Sequence, residues 1–158
     1  MAGPKQLTER EWHRREAVKE FNRVWSLLEK KRRTRAEDDE MIHAAHSSRY
    51  HWGLVGKPIN RAVGEWQISH VYAILRRSEP ALYHGLRCLA VCRENRIRDF
   101  ALAFAYEALA RASAVAGDRK GREIYLGRAR AAGEAIREEE DRKLFFSDLA
   151  TIPPARSR

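Results

Sequence analysis

Apolar residues recur at helical spacing along seven stretches of the chain, and glycine, proline or capping residues separate these stretches. In the first stretch, from about Thr8 to Arg33, the residues Phe21, Trp25 and Leu28 keep the spacing of one helix face. No segment of useful length alternates between apolar and polar residues as a strand would. The pattern therefore predicts an all-α protein of about seven helices.

Capping residues mark the ends of several predicted helices. Thr8 and Thr34 are each followed three residues later by a glutamate, which is the pattern of a capping box. In Ser78-Glu79-Pro80, the serine is predicted to cap the fourth helix and the proline to lie in its first turn. Gly117-Asp118 is predicted to end the fifth helix and to start the sixth. The helices after the first are predicted over about residues 34–52, 59–77, 78–94, 99–116, 119–136 and 142–149.

The stretch from Ala103 to Ala129 resembles a tetratricopeptide repeat. In that motif a first helix carries a large residue, a Leu-small pair and an aromatic, and after a turn a second helix carries small, large and small positions. The residues at these places are Tyr106, Leu109, Ala110, Ser113, Gly117, Asp118, Leu126 and Ala129. Ser113 stands where the motif has an aromatic residue, and Arg122 stands where it has a small one.

Two earlier stretches carry partial copies of the pattern. The nearer copy consists of Ile68, Ser69, Tyr72, Ala81, Gly85 and Cys88, with Arg76-Arg77 in place of the Gly-Asp turn. The farther copy consists of Phe21, Val24, Trp25, Leu28, Met41 and Ala44. The equivalent residues Trp25, Ser69 and Ala110 are 44 and 41 positions apart, a longer period than about 34 residues in the ordinary repeat. This length is similar to that of extended-helix variants of the family.

The resemblance implies antiparallel helix pairs that stack into a right-handed superhelix, since each pair has an apolar face that only a neighbour can bury. An unrelated helical bundle remains the alternative. We expect one domain over residues 8–150, a disordered segment over 1–7 and a flexible tail over 151–158. Phe145 and Phe146 are the aromatic residues expected to be exposed at the end of the stack, where a second copy could cover them in a homodimer.

The resemblance also implies a binding groove lined by the first helix of each pair. The residues at the groove places of the family are Asn22, Ser26, Trp66, Gln67, His70, Glu107 and Arg111. Such a set of aromatic, imidazole and charged groups can recognise a peptide terminus or a small polar ligand. The same residues are also compatible with ordinary packing and surface ion pairs.

The composition bears on the class of partner. The net charge is +9, and the first 35 residues carry eleven Lys or Arg and five Glu. The densest basic block, Lys30 to Arg33, is compatible with nucleic-acid binding and also with a solvated helix end. No run is long enough to cross a membrane and no signal core begins the chain, so we expect a cytoplasmic protein. Cys88 and Cys92 are interpreted as small buried residues without a disulfide.

Histidines and carboxylates suggest a second kind of site. His43 and His46 are three residues apart on the second helix, and His70 and Glu65 lie on the next helix. Two histidines at helical spacing with a carboxylate from a neighbouring helix can hold a divalent metal. The sequence contains neither a His-Glu-x-x-His motif nor a pair of Glu-x-x-His motifs, so no such motif supports the prediction of a metal site.

These observations rank three functions. The first is a non-catalytic interaction module that binds a partner protein or peptide in its groove. The second is a metal-dependent or acid-base enzyme that uses the histidine and carboxylate residues, with Glu107 as a further carboxylate. The third is nucleic-acid binding through the basic first helix. A divalent metal is the one cofactor considered, and no membrane partner is expected.

Overall fold

The computed structural model describes residues 6–155 of the chain, and within that range it contains seven α-helices and no strand. The helices are α1 (Glu9–Leu28), α2 (Arg35–Val55), α3 (Pro58–Ile74), α4 (Ser78–Glu94), α5 (Asp99–Ala116), α6 (Arg119–Glu134) and α7 (Glu139–Leu149). The predicted all-α architecture is confirmed. The segments over 1–5 and 156–158, parts of the two expected flexible termini, lie outside the described residues.

Both predicted capping boxes are present. The hydroxyl of Thr8 accepts a hydrogen bond from the backbone N–H of Glu11, and the backbone N–H of Thr8 donates to the Glu11 carboxylate at 2.8 Å. Thr34 and Glu37 repeat this exchange at the start of α2, also at 2.8 Å for the backbone donor. Each box pairs backbone N–H groups that a helix start otherwise leaves unbonded.

Several predicted helix ends differ from the structure, among them the C-terminal ends of α2, α3 and α6, which differ by two or three residues. α1 ends at Leu28, so the basic block Lys30–Arg33 lies in the loop before α2 and not in the helix. α7 starts at Glu139, three residues before the predicted start, because its acidic first turn favours the positive end of the helix dipole. Ser78 is the first helical residue of α4 and not its cap; Arg77 occupies the cap position without a side-chain bond.

The helices pack as hairpins stacked side by side. α1–α2, α3–α4 and α5–α6 form the hairpins, and each next helix packs against the hairpin before it. α3 also contacts α5, and α5 contacts α7, whereas the even-numbered helices make no comparable contact with one another in the described range. The odd-numbered helices therefore form the closer layer of the stack, which is the arrangement expected for the inner side of a helical-repeat array.

The turns after α3, α4 and α5 share one backbone geometry. At Gly117, Arg76 and Arg96 the chain takes a left-handed conformation, with φ of 76°, 60° and 55°. In each case the next N–H reaches back to the carbonyl five residues earlier, as in a Schellman motif. Arg76 thus takes the same place at the end of α3 that glycine takes at the end of α5, although a left-handed conformation is unfavourable for a residue with a Cβ.

Small residues let α3, α4 and α5 approach closely. Ser69, Ala81 and Ala110 are buried, and the hydroxyl of Ser69 donates to the carbonyl of Ala81 at 2.7 Å. A Cβ on Gly85 would lie 3.0 Å from the side chain of Leu109. The small positions of the repeat pattern therefore lie where helices touch.

Several predicted positions of individual side chains are wrong. The helical spacing of Leu86 with Leu82 and Leu89 predicts that Leu86 faces the core, but it is 51% exposed. Phe145, expected to be exposed at the end of the stack, is fully buried against α6, where a Cβ on Gly133 would come within 2.6 Å of its ring. The packed domain also continues past residue 150, because Ile152 is buried in the core.

Candidate functional site

A pocket of about 340 Å³ opens on the side of the odd-numbered helices. Helices α1, α3, α5 and α7 supply most of its wall, and α4 supplies one residue. Its lining residues are Phe21, Trp25, Ala62, Val63, Trp66, Cys88, Phe100, Ala101, Phe104, Leu144 and Asp148. The volume is within the range of ligand-binding pockets. We refer to this feature as the aromatic pocket.

Five aromatic rings form a continuous arc around the aromatic pocket. Trp25 and Trp66 stack with their ring centroids 5.9 Å apart, and Phe21 lies edge-on to Trp25 at 6.3 Å. On the other side, Phe104 meets Trp66 edge-on at 5.3 Å, and Phe100 lies 4.5 Å from Phe104. Such edge-on and offset contacts are the favourable geometries for aromatic pairs, so the arc holds its shape.

A buried polar network fixes the central ring of this arc. The indole Nε1 of Trp66 donates to the Glu107 carboxylate at 3.1 Å, and the other oxygen of Glu107 accepts from Arg111 Nε at 2.8 Å. Arg111 also donates to the hydroxyl of Thr151 at 2.8 Å and to the backbone oxygen of Asp148 at 3.1 Å. The network therefore connects α3, α5, α7 and the segment after α7. Three predicted groove residues, Trp66, Glu107 and Arg111, belong to it.

Burial changes the acidity of the carboxyl groups in this region. Burial raises the pKa of Glu107 above its ordinary value, and the nearby Arg111 guanidinium and the Trp66 hydrogen bond offset only part of that effect. Burial also raises the pKa of Asp148, again against the influence of Arg111. The Arg111 guanidinium thus acts on both carboxyl groups at the edge of the aromatic pocket, but it forms an ion pair with Glu107 alone.

The predicted groove residues Gln67 and His70 lie beside the arc. The Gln67 amide donates to the carbonyl of Phe21 at 3.1 Å, which ties α3 to α1. The His70 ring stacks on Trp66 with centroids 5.1 Å apart. Burial, with a smaller contribution from Arg111, lowers the pKa of His70 to about 3, so its ring is neutral. Gln67 Oε1 and His70 Nδ1 are buried and have no hydrogen-bond partner among the described residues.

The two groove residues predicted on α1 lie elsewhere. Asn22 and Ser26 are exposed and border a shallow depression together with charged residues of α1 and α2. The hydroxyl of Ser26 donates to the carbonyl of Arg23 in its own helix. Phe21 and Trp25 face the aromatic pocket instead, because α1 is rotated by one residue relative to the predicted alignment.

A second polar cluster lies between α2, α3 and α4. The Glu65 carboxylate accepts from Arg49 Nε at 2.9 Å and pairs with His84 Nδ1 at 2.7 Å. Burial raises the pKa of Glu65, but His84 and Arg49 together outweigh burial and leave that pKa below its ordinary value. Next to it, His46 Nε2 lies 3.0 Å from the Tyr72 hydroxyl. Burial is also the main reason why the pKa of His46 is lowered.

The residues predicted as metal ligands do not converge. His46 pairs with Tyr72, Glu65 with Arg49 and His84, and His70 stacks on Trp66. His43 is exposed. Throughout residues 6–155, no group of three or more His, Cys, Asp or Glu side chains is arranged to hold a metal ion. These four residues therefore do not form the predicted metal site.

The basic block after α1 is partly neutralised by α2. Arg33 Nε donates to the Asp38 carboxylate at 2.7 Å and also bonds the carbonyl of Leu27. Lys30 pairs with Glu37. Half of the block thus serves the connection between α1 and α2, and this does not favour a nucleic-acid interface at this position. Among the described helices, none combines the length and hydrophobicity that crossing a bilayer requires.

The sequence interpretation missed most residues of the aromatic pocket as site residues. Phe21 with Trp25, and Phe100 with Phe104, are aromatic pairs four residues apart on odd-numbered helices. That spacing places both members of a pair on one face. The repeated spacing was the available signal for a shared aromatic surface. Nothing in the sequence indicated Asp148, because its place depends on how α7 packs.

No family model, no curated protein and no solved structure matches the chain.

Proposed function

We propose that this protein is a non-catalytic interaction module that binds a peptide segment of a partner protein in the aromatic pocket. The observation that carries the proposal is an aromatic arc that frames a pocket on the inner layer of a hairpin stack. Helical hairpin arrays bind partners on that layer because adjacent inner helices form one continuous surface. Aromatic side chains supply much of the energy at such surfaces.

Three features of the pocket favour a peptide ligand. The wall is almost entirely apolar, so a partner side chain would gain free energy by leaving water. The rim is accessible, since Leu144 of α7 borders the pocket and is 52% exposed. The polar network behind Trp66 holds the arc in place before binding, which reduces the entropy lost on association.

Selection of a displayed random-peptide library against the full chain tests this proposal. Peptides that bind should perturb the NMR signals of the Trp25 and Trp66 indoles. Leu144→Gln should weaken their affinity about fivefold, because it removes part of the apolar rim. Leu86→Gln is the matched control: Leu86 is 51% exposed on α4, is not part of the pocket wall, and its replacement should leave affinity unchanged.

Two results would contradict the proposal. One is a selection that yields no peptide with reproducible affinity. The other is a set of peptides that bind the Leu144→Gln variant as tightly as the unaltered protein, which would place the binding surface elsewhere.

A further inference from the structure

The wall of the aromatic pocket carries no positive charge. The chain has 31 Lys and Arg among 158 residues, yet none of the residues that line the pocket is basic. The one carboxylate in the wall is Asp148. A pocket for an anionic group is best served by a charged donor at its wall, and no lining residue supplies one. The charge of the wall therefore indicates either a neutral or a cationic ligand.

The charged groups behind the pocket wall favour a cationic ligand over a neutral one. Glu107, Arg111 and Asp148 lie together and carry a net charge of −1 when all are ionised. Glu107 is paired with Arg111 at 2.7 Å. The Asp148 carboxylate, in contrast, has no hydrogen bond or ion pair from another side chain of the described range; only its backbone oxygen accepts bonds. The Asp148 carboxylate is therefore the acidic group of the wall that is available to a cation in the pocket.

The helix that carries Asp148 is also acidic. From Glu138 to Leu149 the chain has five acidic and two basic residues, although the whole protein has a net charge of +9. At physiological ionic strength, charges more than about 8 Å away are strongly screened. The local charge of α7 therefore matters more at the pocket than the excess of basic residues elsewhere.

We propose that the aromatic pocket binds a methylated lysine side chain of the partner peptide. The inference rests on the function proposed above and adds the chemistry of the ligand. Ring faces attract cations, and a methylated ammonium has a weak hydration shell and an apolar surface that suits an aromatic wall. An unmodified ammonium is strongly hydrated and loses more on entering a dry pocket. Asp148 supplies the opposite charge beside the rings.

A comparison of two peptides of equal shape tests the charge requirement. The first is acetyl-Ala-trimethyllysine-Ala-amide, and the second carries a neutral tert-butyl group in place of the trimethylammonium group. NMR titration of the full protein should show about tenfold tighter binding of the charged peptide. The unmodified lysine peptide should bind more weakly than the trimethylated one.

Asp148→Asn, which keeps the shape of the side chain, should remove most of the preference for the charged peptide. Asp141→Asn is the matched control, because Asp141 lies on the same helix, is exposed and does not border the pocket. It should leave the tenfold preference unchanged. Thermal unfolding and circular dichroism of both variants establish that each is folded. The comparison of the two peptides on the unaltered protein is decisive even if Asp148→Asn does not fold.

The outcomes separate the two proposals. Equal affinity for the two peptides overturns the cation inference but leaves a groove that binds apolar peptides. Absence of binding by any of the three peptides also overturns the cation inference, and the library selection then decides the proposed function independently. If the Asp148→Asn variant prefers the charged peptide over the neutral one as strongly as the Asp141→Asn variant does, the role assigned to Asp148 is contradicted.

Discussion

His70 shows how one side chain makes the stability of this protein depend on pH. Its ring is buried, and its pKa of about 3 is far below the ordinary value of 6.5. Between pH 6.5 and 3, His70 therefore binds a proton in the unfolded chain but not in the folded protein. The contribution of His70 to stability is complete above pH 6.5 and is lost as the pH falls below that value towards 3.

At pH 5 we expect this residue alone to lower the free energy of unfolding by about 2 kcal/mol relative to pH 8. Urea unfolding at the two pH values measures the effect. In His70→Phe, which keeps an aromatic ring against Trp66 but cannot be protonated, the difference between pH 8 and pH 5 should shrink by about that amount. An equal pH dependence in both proteins would show that His70 does not titrate as described.

At the scale of the element, α6 has two glycines in contrasting surroundings. A Cβ at Gly133 would lie within 2.6 Å of the Phe145 ring, whereas a Cβ at Gly127 would have no neighbour within 4 Å. Gly133→Ala should therefore destabilise the protein by about 1–3 kcal/mol, because the buried ring of α7 must move. Gly127→Ala should stabilise it by about 0.5–1 kcal/mol, because alanine favours the helix.

Urea unfolding of the two variants checks the pair, and each serves as the control for the other within one helix. A similar effect of both substitutions would mean that α7 does not pack on Gly133 as the structure has it. Since α7 supplies Leu144 and Asp148 to the pocket, Gly133→Ala should also weaken any ligand bound there.

At the scale of the molecule, the pair of Glu107 and Arg111 joins parts of the chain that are distant in sequence. Arg111→Met should cost about 3–5 kcal/mol of stability, because it leaves the Glu107 carboxylate buried without its partner. The double variant Glu107→Gln with Arg111→Met should recover most of that loss. The amide oxygen of Gln can still accept from Trp66, and no charge is then buried.

Denaturant unfolding of the single and double variants measures the coupling. If the double variant is as unstable as Arg111→Met alone, the loss comes from the bonds of Arg111 to Thr151 and Asp148 and not from an unpaired charge.

The predictions from sequence were most accurate where the cause was local. Helix α5 has the predicted bounds, and both capping boxes are present, because caps and helical periodicity depend on residues within one turn. The burial of the small residues Ser69 and Ala110 was indicated by their place in the repeat pattern. The end of α1 was predicted too far along the chain. Lys30 and Arg33 of the basic block form ion pairs with Glu37 and Asp38 of α2, and these pairs hold the block outside α1.

The residues that line the aromatic pocket could not be predicted from the sequence, because tertiary structure decides which faces of the helices meet there. Phe21 and Trp25 differ from the predicted residues Asn22 and Ser26 by one position, which is a rotation of about 100° around the helix axis. Packing of α1 against α2 and α3 sets that rotation, and no local signal encodes it. Burial of Phe145 likewise follows from the docking of α7, which also brings Asp148 to the rings.

The sequence alone thus determined seven helices, most of their ends and the small residues at their contacts, since these follow from backbone geometry and nearest neighbours along the chain. The tertiary structure alone decided which faces meet, and hence that five aromatic rings and one carboxylate share a pocket. The physical reason is that a helix satisfies its backbone bonds by itself, but its rotation and position are set only by packing against other helices.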